Sequence, residues 1–183
     1  PMKLKRDLTP YAAGLIAIAS ALVSPSLFAQ NSAPQVHPGG FGIQKIYDVP
    51  KDVQGSWVSM AVDSKGRLYC ADQGDKGIYR ITVGDAAPVV ERVPLEISSA
   101  HGMLWAHDSL YIVVNGGGIG GHRSGLYRVT DSNQDDQLDK IVSLRNISGG
   151  GEHGPHAVVL SPDGESLFVL GGNHTKTPKP ETS

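Results

Sequence analysis

The strongest constraint on what this chain can fold into is that it repeats itself. An apolar run, a polar turn and a second apolar run bearing an aromatic recur three times. The first copy reads Val58-Ser59-Met60-Ala61-Val62, turns through Asp63-Ser64-Lys65-Gly66 and continues as Arg67-Leu68-Tyr69-Cys70-Ala71. The second reads His101-Gly102-Met103-Leu104-Trp105, turns at Ala106-His107-Asp108 and continues as Ser109-Leu110-Tyr111-Ile112-Val113-Val114. The third reads Ala157-Val158-Val159-Leu160, turns at Ser161-Pro162-Asp163-Gly164 and continues as Leu167-Phe168-Val169-Leu170. A further run follows in the first two copies, Gly77-Ile78-Tyr79-Arg80-Ile81 and Gly125-Leu126-Tyr127-Arg128-Val129.

The matching leucines Leu68, Leu110 and Leu167 are 42 and 57 residues apart. A period of about 40–50 residues fits one four-stranded blade per copy of a β-propeller. Helical periodicity is absent beyond the N-terminus. The content of 23 Gly and 12 Pro, with 6% aromatics, suits a turn-rich β protein better than a helical bundle. The expected fold class is therefore all-β: a β-propeller, six-bladed when complete, with about three blades in this chain. Closure of such a ring takes four to eight blades, so the chain reads as the N-terminal half of a longer protein.

The N-terminus reads as a secretory signal over residues 1–29. Lys3, Lys5 and Arg6 form a basic start, an apolar stretch covers residues 11–23, and a small residue stands at the cut after Ala29. Residues 30–45 are a linker leading into the first blade, 46–176 the half-propeller, and 177–183 a polar tail or truncated continuation. An exported protein, periplasmic or membrane-associated, is expected. The net charge of −2 calls for neither nucleic acid nor an anionic membrane surface. Cys70 is the only cysteine, so no intramolecular disulfide forms, and with no Cys-x-x-Cys-His the stretch cannot attach a c-type haem.

Chemistry concentrates on Gly149-Gly150-Gly151-Glu152-His153-Gly154-Pro155-His156, a glycine-rich loop that runs straight into the third copy. Imidazole moves protons near neutral pH, and loops on a rigid strand hold such groups over a site. On the repeat alignment His101 and His156 fall within one position of each other, at the start of the strand that lines a propeller's channel. The expected channel mouth thus includes His101, His156, Asn115, Asn173 and His174, with Glu152 and His153 above it. The plainer alternative is that each imidazole caps a strand or bonds a carbonyl. Glu152, His153, His156 and His174 also offer a transition-metal donor set, although His-x-x-His on a loop does not fix ligand geometry as a helix does.

A second motif, Asp131-Ser132-Asn133-Gln134-Asp135-Asp136-Gln137-Leu138-Asp139, sets oxygen ligands at positions 1, 3, 5 and 9 of a Ca²⁺ loop, with the Gln137 carbonyl at 7. Position 6 is Asp136 rather than Gly and position 12 is Val142 rather than Glu. Two readings stand: a weak structural Ca²⁺ site at Asp131, Asn133, Asp135, Gln137 and Asp139, or a solvated acidic turn. Gly116-Gly117-Gly118-Ile119-Gly120-Gly121 lacks a following helix and a Gly-Lys-Ser/Thr, so it reads as a blade loop rather than a nucleotide site.

Residues 151–164, the following Gly171-Gly172-Asn173-His174-Thr175 and the Leu-Tyr-Arg-Val-Thr-Asp at 126–131 together resemble one family. It is the membrane-bound dehydrogenase family of planctomycete-type bacteria, whose propeller is similar to the soluble quinoprotein glucose and sorbosone dehydrogenases. The resemblance covers roughly residues 40–176. In those relatives the catalytic histidine follows an acidic residue and precedes the Pro of a Pro-Asp turn by nine positions, which here selects His153. The resemblance implies that His153 accepts the hydroxyl proton of a sugar or other alcohol while hydride passes to pyrroloquinoline quinone (PQQ), with Glu152 orienting it. It further implies a c-type haem domain as electron acceptor, Ca²⁺ beside the quinone, and cofactor-binding groups from later blades. Two other functions remain open: a non-catalytic carbohydrate- or protein-binding propeller, and a Ca²⁺-dependent lactonase-like propeller using Asn115 and Asn173.

Overall fold

A computed structural model describes residues 42–85 and 87–179. The expected signal and most of the linker lie outside the described residues. The elements below all belong to one compact unit, Gln44–Ser183. After one helical turn, α1 (Lys51–Gln54), ten strands follow: β1 (Trp57–Val62), β2 (Leu68–Asp72), β3 (Ile78–Thr82), β4 (Val89–Arg92), β5 (Ala100–Ala106), β6 (Ser109–Val114), β7 (Gly125–Thr130), β8 (Lys140–Asn146), β9 (Pro155–Leu160) and β10 (Leu167–Gly171). They form three antiparallel sheets in chain order, β1–β4, β5–β8 and β9–β10, so the described chain is mostly β, as expected. Among the described residues no helix is long and apolar enough to cross a membrane.

Local chemistry sets the hairpins. Asp63 Oδ1 accepts the Lys65 and Arg67 N–H groups at 2.9 and 2.8 Å, while Gly66 takes the left-handed conformation (φ 78°) that a side chain resists. The third copy repeats the device, with Gly164 at φ 79° and the Ser161 hydroxyl accepting the Ser166 N–H at 2.8 Å. Between β5 and β6 two residues suffice, His107 and Asp108, at φ 49° and 51°. That is the pair of left-handed residues a two-residue hairpin needs to match strand twist.

The middle sheet is covered on both sides, and its strands divide their residues by parity. Leu110, Ile112 and Val114 of β6 join Tyr69, Ala71 and Ile78 of the first sheet in one apolar cluster. Tyr111 and Val113, pointing the other way, join Val158 and the half-buried Leu160, Leu167 and Val169 of the third sheet in another. Two cores therefore share one strand, which is buried throughout. Cys70 is buried in β2, and desolvation pushes its thiol up to about 11, far from a reactive thiolate.

A polar clamp fixes the first sheet to the loop after β7. Asp136 accepts both Arg67 terminal nitrogens, at 2.7 and 2.9 Å, and pairs with Lys65 at 2.8 Å. Arg80, 5% exposed, donates to the Asp136 carbonyl at 2.7 Å and to Glu91 at 2.9 Å. The Arg67 bonds first, and Lys65 second, hold the Asp136 carboxyl well below the usual carboxylate range. A carboxyl depressed on folding stabilises the fold above its unfolded pKa, and that contribution disappears as pH falls through the folded value. Because the Asp136 side chain is 46% exposed, screening keeps its share to about 1 kcal/mol or less. Asp136→Asn is expected to lower stability at pH 7, and the gap to wild type to narrow as pH falls below about 4 and close only toward the low folded value, read by urea melts across pH. A constant gap down to the most acid pH would remove Asp136 from the acid response.

Candidate functional site

The first strands of the three sheets, β1, β5 and β9, run side by side. Ser59 Oγ donates to the Ala100 carbonyl at 2.5 Å, tying β1 to the start of β5. On the other side β5 meets β9 so closely that a Cβ on Gly102 would stand 2.5 Å from the His156 carbonyl oxygen. Each of these strands carries a β-bulge at its second residue. Val58 is left over between the pairs Trp57↔Asp72 and Ser59↔Ala71. His101 is left over between Ala100↔Val114 and Gly102↔Val113. His156 is left over between Pro155↔Gly171 and Ala157↔Leu170. A bulge frees one side chain from the pleat and re-aims it. The two histidines aligned by the repeat thus occupy one structural position.

Asn115, the residue after β6, organises the space they face. It is 6% exposed, and its Nδ2 donates to the Gly151 carbonyl at 2.7 Å and to His101 Nδ1 at 3.3 Å. Its Oδ1 is buried with no hydrogen-bond partner among the described residues and abuts Gly154, where a Cβ would lie 2.0 Å away. Gln73, His101, Asn115, Gly151 and Glu152 line one cavity of about 350 Å³. Burial, chiefly, lowers the His101 pKa, and the nearby His156 pushes the same way against the Gln73 backbone and Asp72. His101 is therefore biased toward neutral imidazole, accepting at Nδ1 and donating at Nε2.

The remaining predicted residues are placed differently. His153 is exposed, and its ring meets that of His174 edge-on at 5.0 Å. The His153 carbonyl accepts the His174 N–H at 3.0 Å, fastening the Glu152–His153 loop to the turn after β10. Asn173 sits exposed on that turn. Two of the predicted mouth residues, His101 and Asn115, thus share one cavity with Glu152 of the loop above, His156 adjoins it, and His153 and His174 form a pair outside its lining. Sequence reading missed Gln73 and the backbone of Gly151. Gln73 follows β2 as Asn115 follows β6, a repeat signal that was available.

The acidic loop is closed by its own amides. Asp131 accepts the N–H groups of Gln134, Asp135 and Asp136 at 2.7, 3.3 and 2.8 Å. Asn133 Oδ1 accepts the Asp135 N–H at 3.1 Å, Asp135 Oδ1 that of Gln137 at 2.9 Å, and Asp139 both the N–H and hydroxyl of Ser132. The Ser132 bonds lower the Asp139 pKa. Asp136, at the sixth position, does adopt the left-handed conformation, at φ 69°. Among the described residues no group of three or more His, Cys, Asp or Glu side chains is placed to hold a metal ion. Comparison with protein-family models, curated proteins and solved structures finds no match.

Proposed function

We propose that the three sheets are consecutive blades of an exported β-propeller, whose channel mouth binds a sugar or similar polyol as the substrate side of a quinoprotein-like dehydrogenase. The observation that carries this reading is the convergence of His101, Asn115, Gln73 and Glu152 on one cavity, at bulges where the first strands meet. An imidazole N–H, an amide pair and a carboxylate supply the mixed donors and acceptors that vicinal hydroxyls require. Glu152 in the lining accepts from a hydroxyl of the bound polyol, while His153, next to it on the loop and facing His174 outside the lining, is the base that the dehydrogenase reading requires and the binding reading does not.

PQQ itself does not fit the described lining. A quinone bearing carboxylates calls for cationic partners, and neither Lys nor Arg lines this cavity. The same lack favours a second reading, carbohydrate binding without chemistry.

Calorimetric titration with glucose, glycerol and an aldonolactone tests the binding. A polyol is expected to bind wild type at least tenfold more tightly than Asn115→Ala or His101→Leu. Affinity is expected to hold above pH 6.5 and to fall below it only as His101 protonates, since its pKa is lowered. Dye reduction with added PQQ and Ca²⁺ then separates the readings. Turnover lost in His153→Ala with binding intact supports the dehydrogenase, and binding without turnover in wild type supports the binding module. A preference for the lactone points to the lactonase class, and no binding at all sinks every form of the proposal.

A further inference from the structure

A second cavity lies at the other end of the same strands from the candidate site. That site gathers Gln73 and Asn115, which follow β2 and β6. The second cavity, of about 410 Å³, gathers the turns that follow β1 and β5 and the acidic loop that follows β7. Its lining runs from Ser64 to Leu138, so the first two sheets and their loops form it alone. The volume falls within the range of about 300–1,000 Å³ usual for small-molecule sites.

Ion pairs hold its walls in place without a ligand. Arg67, whose side chain is 12% exposed, spans from Asp63 to the Asp136 carboxylate at 2.7 Å each, and Lys65 pairs with the same carboxylate. Asp131 is engaged by the three loop amides it accepts. Both lining cations and two of the three lining carboxylates are therefore already matched.

What is left over selects the ligand. Ser64, Trp105, Asp108 and Gln134 line the cavity, and their side chains make no hydrogen bond or ion pair among the described residues. Trp57, by contrast, donates its indole N–H to the Gln54 carbonyl at 3.1 Å. Trp105 is half-buried and stacked on Tyr69 at 5.7 Å, which fixes its ring in the cavity wall. An anion meets the unpaired Asp108 carboxylate and finds both cations taken. A simple cation gives the indole N–H nothing to donate to. A neutral polyhydroxylated ring answers both. Its hydroxyls donate to Asp108 and accept from Trp105, Ser64 and Gln134, and its C–H groups cover the apolar surface of Trp105 and Leu138.

We propose that this cavity is a second carbohydrate site, taking one sugar unit of an oligosaccharide. It shares no lining residue with the cavity of His101 and Asn115, so each site stands or falls on its own variants.

Tryptophan fluorescence of the chain, titrated with cellotetraose, xylotetraose and mannotetraose, tests the assignment. At least one of the three is expected to shift the emission saturably to shorter wavelength, as Trp105 loses water. Trp57→Phe is expected to keep that response, which assigns it to Trp105. Asp108→Gly deletes the carboxylate yet suits the left-handed backbone there (φ 51°), and Ser64→Ala alters an exposed turn residue. Each is expected to weaken binding at least tenfold with an unchanged circular dichroism melt, while His101→Leu leaves it as in wild type. No shift with any of the three sugars, a response indifferent to both turn variants, or one abolished by His101→Leu would each overturn the proposal. A shift with spermidine alone would overturn it in favour of an organic cation.

Discussion

Gly102→Val is expected to lower the melting temperature by about 10 °C, the largest effect of any single substitution in the β5 strand. The atoms a new Cβ meets are the His156 carbonyl oxygen at 2.5 Å and Ala157 Cα at 2.8 Å. Both are main chain, so no rotamer change relieves the clash, and β9 must move as a body. Its movement opens the core around Val158 and displaces the bulge that carries His156. Overpacking of side chains costs about 1–3 kcal/mol, and a backbone clash belongs at or above the top of that range. Thermal melts followed by circular dichroism read the shift, with polyol affinity measured alongside. A change of under 2 °C would mean that β5 and β9 are not held at this distance.

Ile112→Ala and Val113→Ala are expected to separate the two cores by the face from which they remove volume. Both residues are fully buried on β6. Ile112 belongs to the cluster shared with the first sheet, Val113 to the one shared with the third. Truncating Ile112 is expected to cost about 3–4 kcal/mol and Val113 about 2 kcal/mol, since the isoleucine surrenders more volume. Hydrogen exchange shows where the loss falls: amides of β2 and β3 for Ile112→Ala, of β9 and β10 for Val113→Ala. Identical exchange patterns in the two variants would mean one undivided core.

The sequence made the inner strands legible because each copy alternates apolar residues strongly enough to mark both a strand and its partner. The outer strands were harder. β4 is only four residues long, and β8 is largely exposed, with only Ile141 and Arg145 half-buried, so no period of two survives. At the candidate site, alignment of the repeat placed His101 and His156 together without any knowledge of bulges. What it could not supply was the direction of His153. That residue is turned toward His174 by backbone bonds between the His153 carbonyl and the turn after β10, a long-range contact with no local signature. Gly154 likewise reads as an ordinary loop glycine. Its absent side chain matters because Asn115 and the Gly150 main chain press against it.

The repeated bulge carries a consequence for how such a protein can change. A residue outside the ladder has no cross-strand partner and joins neither apolar core, so its identity is less tightly tied to the packing than that of its neighbours. Val58, His101 and His156 are three such addresses on one rim, already holding two different side chains. On the proposed reading of a binding mouth, its specificity is rewritten one address per sheet, by mutation or by design, while the strands beneath keep their pairing.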